Sequence, residues 1–525
     1  LNGKIATLDD DNKFYEAVGI RGNRIDFLGS SERAFELWDE YAKVIDLEGN
    51  TLMPSFNDSH MHLLNYGYTQ KKLNLSQYKS IKETIHESSN FIKENGIKNG
   101  KWILGRGWNQ DYLEEKRFFT KEDLDSISVE HPIVFTRTCG HIAVCNSKAL
   151  AMIHKDLLED ENIDIESGTF YELAIEILNG IIDSPDIDEM KSMITETCEE
   201  LIENGITSVQ SDDFNAMPDG DFKKVIKAYE ELENEEMLKV RIYEQCLLPR
   251  KEQLVEFLSL GYKTGKGSSF FKIGPLKLLI DGALGGRTAL LSEPYSDDIA
   301  NNGICVYSQE EIDSFVSYAH DNGMQIAIHA IGDMAMDMVI DAYEKIPSNT
   351  EENKMRHGIV HCQITNKEII DRFRKNNIVA YIQPIFLDYD LHIVEERVGD
   401  RYSETYAFNT MNEKGIKLCG GSDAPVVHFN PFENIYCAVT RKDLRGYPEA
   451  GFISEEKLSL EEALKLFTIN SAYSSFEEEI KGSLEIGKLA DMIVLDRDIF
   501  TVEENEIKNI KVDMTVVDGE IVFKR

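Results

Sequence analysis

Eight short apolar runs punctuate the middle of the chain and constrain its fold more than any other feature. They are TLMPSFNDSHMH (51–62), TSVQSD (207–212), VRIYEQ (240–245), LKLLIDG (276–282), QIAIHA (325–330), GIVHCQ (358–363), IVAYIQP (378–384) and KLCGGSDAP (417–425). Helix-like stretches such as SFVSYAHDNG and NKEIIDRFRKNN lead into them. Strands that alternate with helices predict parallel βαβ units. Eight such units predict an α/β fold of the (β/α)8 TIM-barrel type, here over residues 53–479. The interval between the first two runs is too long for one crossover. It carries its own helices, the aromatic run GRGWNQDYL and the apolar run PIVFTR, so an inserted subdomain is expected over about 65–205. The two ends have a different texture, with short β-branched runs broken by Gly, Asn and Asp, and an Asp-Gly hairpin signal at 518–519. Neither end is long enough to close a core alone. Residues 1–52 and 480–525 are therefore expected to build one small β-sandwich together.

Composition narrows the class of partner. The chain has 525 residues, 42% hydrophobic and 29% charged, which fits a folded protein with a sizeable core. Its formal net charge of −38 repels phosphate backbones and anionic lipid, so neither nucleic acid nor membrane is expected as a partner. A small-molecule substrate is the remaining expectation. No run approaches the length of a membrane-spanning helix, and the first residues, LNGKIATLDDDN, show no secretory pattern, although the chain begins with Leu1 rather than Met. The eight cysteines are scattered without a CxxC pair, which reads as buried free thiols in a reducing compartment, hence a cytoplasmic protein.

Candidate chemistry collects at the ends of the apolar runs. His60 and His62 close the first run; on a strand, residues i and i+2 share a face about 6.6 Å apart, so the two imidazoles can share a metal. His329 ends QIAIHA, His361 lies in GIVHCQ, and Asp423 lies in CGGSDAP. Lys277 sits inside an otherwise apolar run. Taken singly, each histidine reads equally well as a core or rim residue with one hydrogen bond. In a barrel, however, the C-terminal strand ends converge on one mouth. Four imidazoles and a carboxylate meeting there suit a divalent metal, zinc first, with iron, nickel or manganese as alternatives.

This constellation resembles the amidohydrolase superfamily of metal-dependent hydrolases. PSFNDSHMH, IAIHAIGD, GIVHCQI and GGSDAP are similar to its metal-site motifs, and GSLEIGKLADMIVLD to its return into the sheet domain. GRGWNQDYL, GHIAVCNSKAL and KLLIDGALGGRTALL resemble the subgroup that contains N-substituted formamide deformylase. The resemblance implies His60, His62, His329, His361 and Asp423 as metal ligands, with Asp423 also moving the proton. It implies Lys277 as a carboxylated lysine bridging two ions; the alternative is an unmodified Lys paired with Asp281 or extended along the barrel wall. Relatives often carry Glu just before the sixth-strand histidine, where this chain has Val360. A homodimer is implied by the resemblance alone.

Further residues have two readings each. His141 either donates to a substrate oxygen or orders its loop. Glu172 matches an acidic position of the subgroup or is a surface helix residue. Trp108 and Tyr112 line an apolar pocket or pack in the insertion. Arg287 holds a substrate anion or pairs with a carboxylate. The activity expected is hydrolysis of a non-peptide carbon–nitrogen bond, of amide or N-substituted formamide type, by water that one or two metal ions activate and Asp423 deprotonates. Deamination or cyclic-amide opening at the same site is the nearest alternative. A non-catalytic, small-molecule-binding or regulatory relative is the alternative of another class.

Overall fold

The computed structural model describes every residue except 38–41, 111, 138–141, 161, 172–173 and 347–353. The chain divides into two units, one of Leu1–Leu63, Ile194–Phe214 and Val225–Arg525, the other of Leu64–Met193 and Asn215–Lys224.

The first unit contains an eight-stranded sheet whose strands pair in chain order. These are β1 (Phe56–Met61), β2 (Ile206–Ser211), β3 (Arg241–Leu247), β4 (Phe271–Leu279), β5 (Ile326–Ala330), β6 (Gly358–His361), β7 (Val379–Ile382) and β8 (Leu418–Gly420). Each coincides with one of the eight apolar runs. Every neighbouring pair along the sheet is parallel. Such strands are buried on both faces, which is why they read as unbroken apolar stretches rather than alternating ones. Beyond the paired residues, Asp423 N donates to His60 O at 2.8 Å and His62 N to Ala424 O at 2.8 Å, joining the last strand back to the first. Gly421 permits this seam, because a Cβ there would lie 2.6 Å from His60 N. Gly358 opens β6 for a similar reason, since a Cβ would sit 2.4 Å from the Tyr381 ring.

The helices that return the chain to the sheet carry clear start and stop signals. Ser308 and Glu311 form a capping box at the head of Gln309–Asp321, and Gly323 follows its end at φ +77°. Asn366 caps Lys367–Lys375, whose buried residues Ile369, Ile370 and Phe373 face the sheet and whose last turn is basic.

Both termini share a six-stranded sheet in the order Phe14–Tyr15, Lys4–Ala6, Thr51–Pro54, Met492–Leu495, Val512–Val517, Glu520–Lys524. A hairpin of Ala17–Arg21 and Arg24–Gly29 packs on it through a core that includes Ile5, Ile25, Leu52, Met492, Val494 and Val516, giving a small sandwich. Asp518 and Gly519 turn the last hairpin with positive φ of 51° and 78°. This sandwich is pinned to the barrel by Arg241 at the head of β3. Its guanidinium donates to Asp491 at 2.8 and 3.2 Å, to Ser269 O at 3.1 Å and to Asp518.

The second unit has its own six-stranded sheet, in the order Ile163–Asp164, Thr169–Tyr171, Ile142–Cys145, Ile133–Arg137, Ile103–Trp108, Leu73–Asn74, with apolar clusters that include Ile103, Phe119 and Phe135, and Val134, Ala143 and Phe170. Among the described residues no disulfide forms: Cys305 is exposed and the other six described cysteines are buried as free thiols. No helix among them is long and apolar enough to cross a membrane.

Arg241 and Asp491 are both about 5% exposed or less, so removing one partner strands the other charge. Arg241→Leu is expected to cost about 3–5 kcal/mol of stability, read as a lowered urea midpoint with the slope unchanged. A midpoint equal to wild type would show that the sandwich is not held by this pair.

Candidate functional site

The C-terminal ends of the strands bring together side chains that are hundreds of residues apart in sequence. β1 delivers His60 and His62 on one face, ring centroids 5.2 Å apart. His361 at the end of β6 lies 5.6 Å from His60 and 4.4 Å from His329 of β5. Asp423, just past β8, places Oδ1 3.2 Å from His60 Nε2 and 3.1 Å from His62 Nε2. Donor atoms of His60, His62 and Asp423 all lie within 4.8 Å of one another.

One nitrogen of each ring is committed to a neighbour, which fixes the tautomer and leaves the other nitrogen free. Gln245 Nε2 donates to Ser59 O at 3.0 Å, so its Oε1 faces His60 and accepts from Nδ1 at 2.7 Å. Gln383 Nε2 donates to Tyr381 O at 3.3 Å, and its Oε1 accepts from His361 Nδ1 at 2.8 Å. His62 Nδ1 donates to the Asp212 carbonyl at 3.0 Å. His329 Nε2 donates to Gly282 O at 3.0 Å and lies 3.3 Å from Asp281 Oδ1. The nitrogens left over are Nε2 of His60, His62 and His361 and Nδ1 of His329.

This arrangement creates an electrostatic demand. Burial, reinforced by Lys277, lowers the His60 imidazole to about 4, so it is neutral. Burial and the neighbouring His329 hold His361 well below the usual range. With its proton on Nδ1, His60 turns a lone pair toward Asp423 Oδ1, acceptor against acceptor. Burial acts to lower His62 as well, but Asp423 and Asp212 outweigh it and raise the ring to about 9. Burial acts to raise Asp423, yet the imidazoles of His60, His62 and His361 around it keep its carboxyl well below the ordinary value. Of the two close ring contacts with the carboxylate, only that of His62 therefore carries a proton. A cation among these atoms meets the shortfall, and imidazole with carboxylate is a donor set suited to a divalent metal.

The surrounding backbone holds these groups in place. His361 and Asp423 adopt left-handed φ of 82° and 61°, a conformation that non-glycine residues take at a cost and that recurs at working sites. Asp58 accepts from His60 N at 3.0 Å and from Ser422 N at 3.1 and 3.2 Å, clamping β1 to the turn that carries Asp423. Burial raises its carboxyl to about 7 against those hydrogen bonds. Lys277 Nζ lies 3.4 Å from Asp212 Oδ2, both side chains 1% exposed. Its ion-pair partner is thus Asp212 rather than Asp281, whose oxygens accept from Leu290 N, Ile331 N and Gly332 N.

Gln245, Gln383, Asp212 and Asp58 were not singled out from the sequence, and Asp281 was named only as a partner for Lys277. Each is a polar residue at or near the end of an apolar run, the same signal that marks the histidines. Val360 packs among Ala327, Val379, Tyr381 and Cys419, and Gln383 supplies the contact to His361.

Trp108 is 1% exposed inside the core of the second unit, edge-on to Phe118 and Phe119, with Nε1 donating to Phe135 O at 3.1 Å. Its ring is spent on packing, so the pocket-lining reading gives way to the core one. Tyr112 is 75% exposed. Arg287 pairs with Asp297 at 2.7 and 3.1 Å, so the carboxylate-pairing reading describes it rather than the substrate-anion one. His141 and Glu172 lie outside the described residues.

The description "Amidohydrolase family" belongs to the family model that matches residues 43–523. YtcJ of Bacillus subtilis (strain 168) is 31% identical over all of this chain and 98% of its own. N-substituted formamide deformylase of Arthrobacter pascens is 23% identical over all of this chain and 98% of its own. The crystal structure of an uncharacterized metal-dependent hydrolase from Pyrococcus horikoshii OT3 superposes with a TM-score of 0.83 and 28% identity, covering 96% of this chain and 98% of that one. With a family match spanning nearly its whole length, a (β/α)8 barrel and converging imidazole and carboxylate donors, this chain belongs to the amidohydrolase family and is a metal-dependent hydrolase of carbon–nitrogen bonds.

Proposed function

We propose that His60, His62, His329, His361 and Asp423 hold zinc, and that the enzyme hydrolyses a small amide of the N-substituted formamide type to a carboxylate and an amine. The observation that carries this reading is the convergence of His60 Nε2, His62 Nε2 and Asp423 Oδ1 within 4.8 Å of one another, a donor set suited to a divalent metal. The deformylase relative supplies the substrate class. When bound, the metal contributes Lewis acidity, polarising the carbonyl and lowering the pKa of water toward about 7. Asp423 takes the proton that the attacking water loses and returns it to the leaving nitrogen as the C–N bond breaks. Its low pKa keeps it ionised and ready to accept, and its hydrogen bond to His60 O keeps it aimed. His141 is the proposed donor to the oxygen on which negative charge develops.

Lys277 decides whether one ion or two is held. As an ammonium paired with Asp212 it repels a second cation. Reaction of its neutral amine with carbon dioxide, with loss of a proton, would give a carbamate anion whose oxygens could serve a second ion. We assign it that role.

The direct test is zinc-loaded protein incubated with a series of N-alkyl and N-aryl formamides. Formate and amine should appear in equal amounts. Ammonia release from heterocyclic amines, with the formamides inert, would move the activity to deamination. Asp423→Asn should keep its metal and lose about 10²- to 10⁴-fold in kcat; near-normal turnover would remove Asp423 from the base role. Gln245→Leu and Gln383→Leu should each weaken zinc binding by about 10- to 100-fold in chelator competition, because the imidazoles lose the acceptor that fixes their tautomer. Unchanged affinity would mean the rings are oriented by packing alone. Protein prepared with bicarbonate should hold two ions per chain by elemental analysis and Lys277→Met one. A single ion in both would leave Lys277 as the partner of Asp212.

A further inference from the structure

At the ends of β6, β7 and β8 opposite the imidazoles lies a cavity of about 620 Å³, the size of a small-molecule site. Arg356 precedes β6 and Lys417 precedes β8, five and six residues before His361 and Asp423. At about 3.3 Å per residue, β6 alone puts roughly 10 Å of strand between the cavity and the metal cluster. Lys354, Arg374 and Lys417 line it, all exposed. Among the described residues none of the three has a carboxylate within ion-pair distance. Lys417 Nζ reaches Asn470 Oδ1 at 3.3 Å and Arg374 Nη1 reaches Asn377 Oδ1 at 3.2 Å. Their neighbours are paired: Arg372 with Asp337, Asp341 and Glu344, Lys375 with Glu344, and Lys414 with Asp371. In a chain with 94 acidic residues against 56 basic ones, three adjoining cations with no carboxylate partner among the described residues are a local reversal of the prevailing charge.

The same cavity has an aromatic wall. The Arg356 guanidinium lies 3.8 Å from the Tyr473 ring centroid and 4.5 Å from that of Phe476, while its nitrogens bind Glu478 at 2.6 and 2.9 Å. Its charge is thus neutralised and its plane braces the two rings. Phe476 remains 39% exposed.

We propose that this cavity is a second ligand site, for a small phosphate ester of a planar ring. Lys354, Arg374 and Lys417 take the phosphate, and Tyr473 and Phe476 take the ring. The site does not rest on the hydrolytic reading of the metal cluster. Isothermal titration of the metal-loaded protein with phenyl phosphate should saturate, more tightly than inorganic phosphate, and weaken as salt rises. The double variant Arg374→Glu/Lys417→Glu should lose about ten-fold or more in affinity. Phe476→Ala should weaken phenyl phosphate while leaving inorganic phosphate unchanged. Adenosine 5′-monophosphate in a parallel titration separates a nucleotide source from a simple aryl ester by which binds tighter. Circular dichroism melts matching wild type make the variants comparable. The proposal falls if phenyl phosphate fails to saturate at millimolar concentration. It falls equally if phenyl phosphate binds the double variant as tightly as wild type, which would put it at the metal cluster, or if inorganic phosphate binds as tightly as the ester.

Discussion

The chemistry of this protein depends on one seam. β1 and the turn after β8 exchange two backbone hydrogen bonds, Asp423 N to His60 O and His62 N to Ala424 O, each 2.8 Å. That exchange places Asp423 Oδ1 against His62 Nε2, across 361 residues of chain. Because strand side chains alternate faces, a slip of one residue along this seam would turn His60 and His62 away from the carboxylate together. The molecule resists that slip at several points. Asp58 accepts from both sides, Gly421 leaves no room for a side chain between them, and the left-handed backbone at Asp423 directs its carboxyl inward. The strain at Asp423 and His361 is sustained by the hydrogen bonds of a closed barrel rather than by the residues' own preferences.

Most of this was legible in the sequence, for a physical reason. A parallel sheet covered on both faces writes its strands as continuous apolar runs, so a polar side chain at the end of such a run is an anomaly. His60, His329, His361 and Asp423 stand out on that ground. Gln245 and Gln383 occupy equivalent positions, yet a glutamine carries no titratable group, and nothing in a linear sequence tells which imidazole its amide will meet. The pairing of Lys277 with Asp212 was hidden differently. Lys277 lies on β4 and Asp212 just past β2, strands that are not neighbours in the sheet, and only the interior of the closed barrel brings them together. Trp108 shows the opposite limit: an aromatic ring reads the same in a core and in a pocket, and burial alone separates the two.

The division of labour between strands and loops explains why the family is easier to read than the substrate. The donors sit on or just beyond strand ends, where paired backbone holds them to fractions of an ångström. The segments that follow β4 and β7 are long, 280–308 irregular and 383–407 built of short helical turns, and they carry exposed side chains such as Ile299, Tyr389 and Ile304. Loop residues change without disturbing the sheet, so one metal-binding frame accommodates many substrates.

Charge balance at the cluster connects these observations to metal content. The net charge of −38 is a surface property and says little about the interior. Inside, the proton on His62 faces Asp423, Lys277 faces Asp212, and Asp281 lies beside His329. With His62 as a ligand, as proposed, entry of an ion would be coupled to loss of the proton that the ring holds, because a ring cannot bind metal and proton at the same nitrogen. In the reading proposed above, a second ion would depend on conversion of Lys277 to a carbamate, which ends its pairing with Asp212.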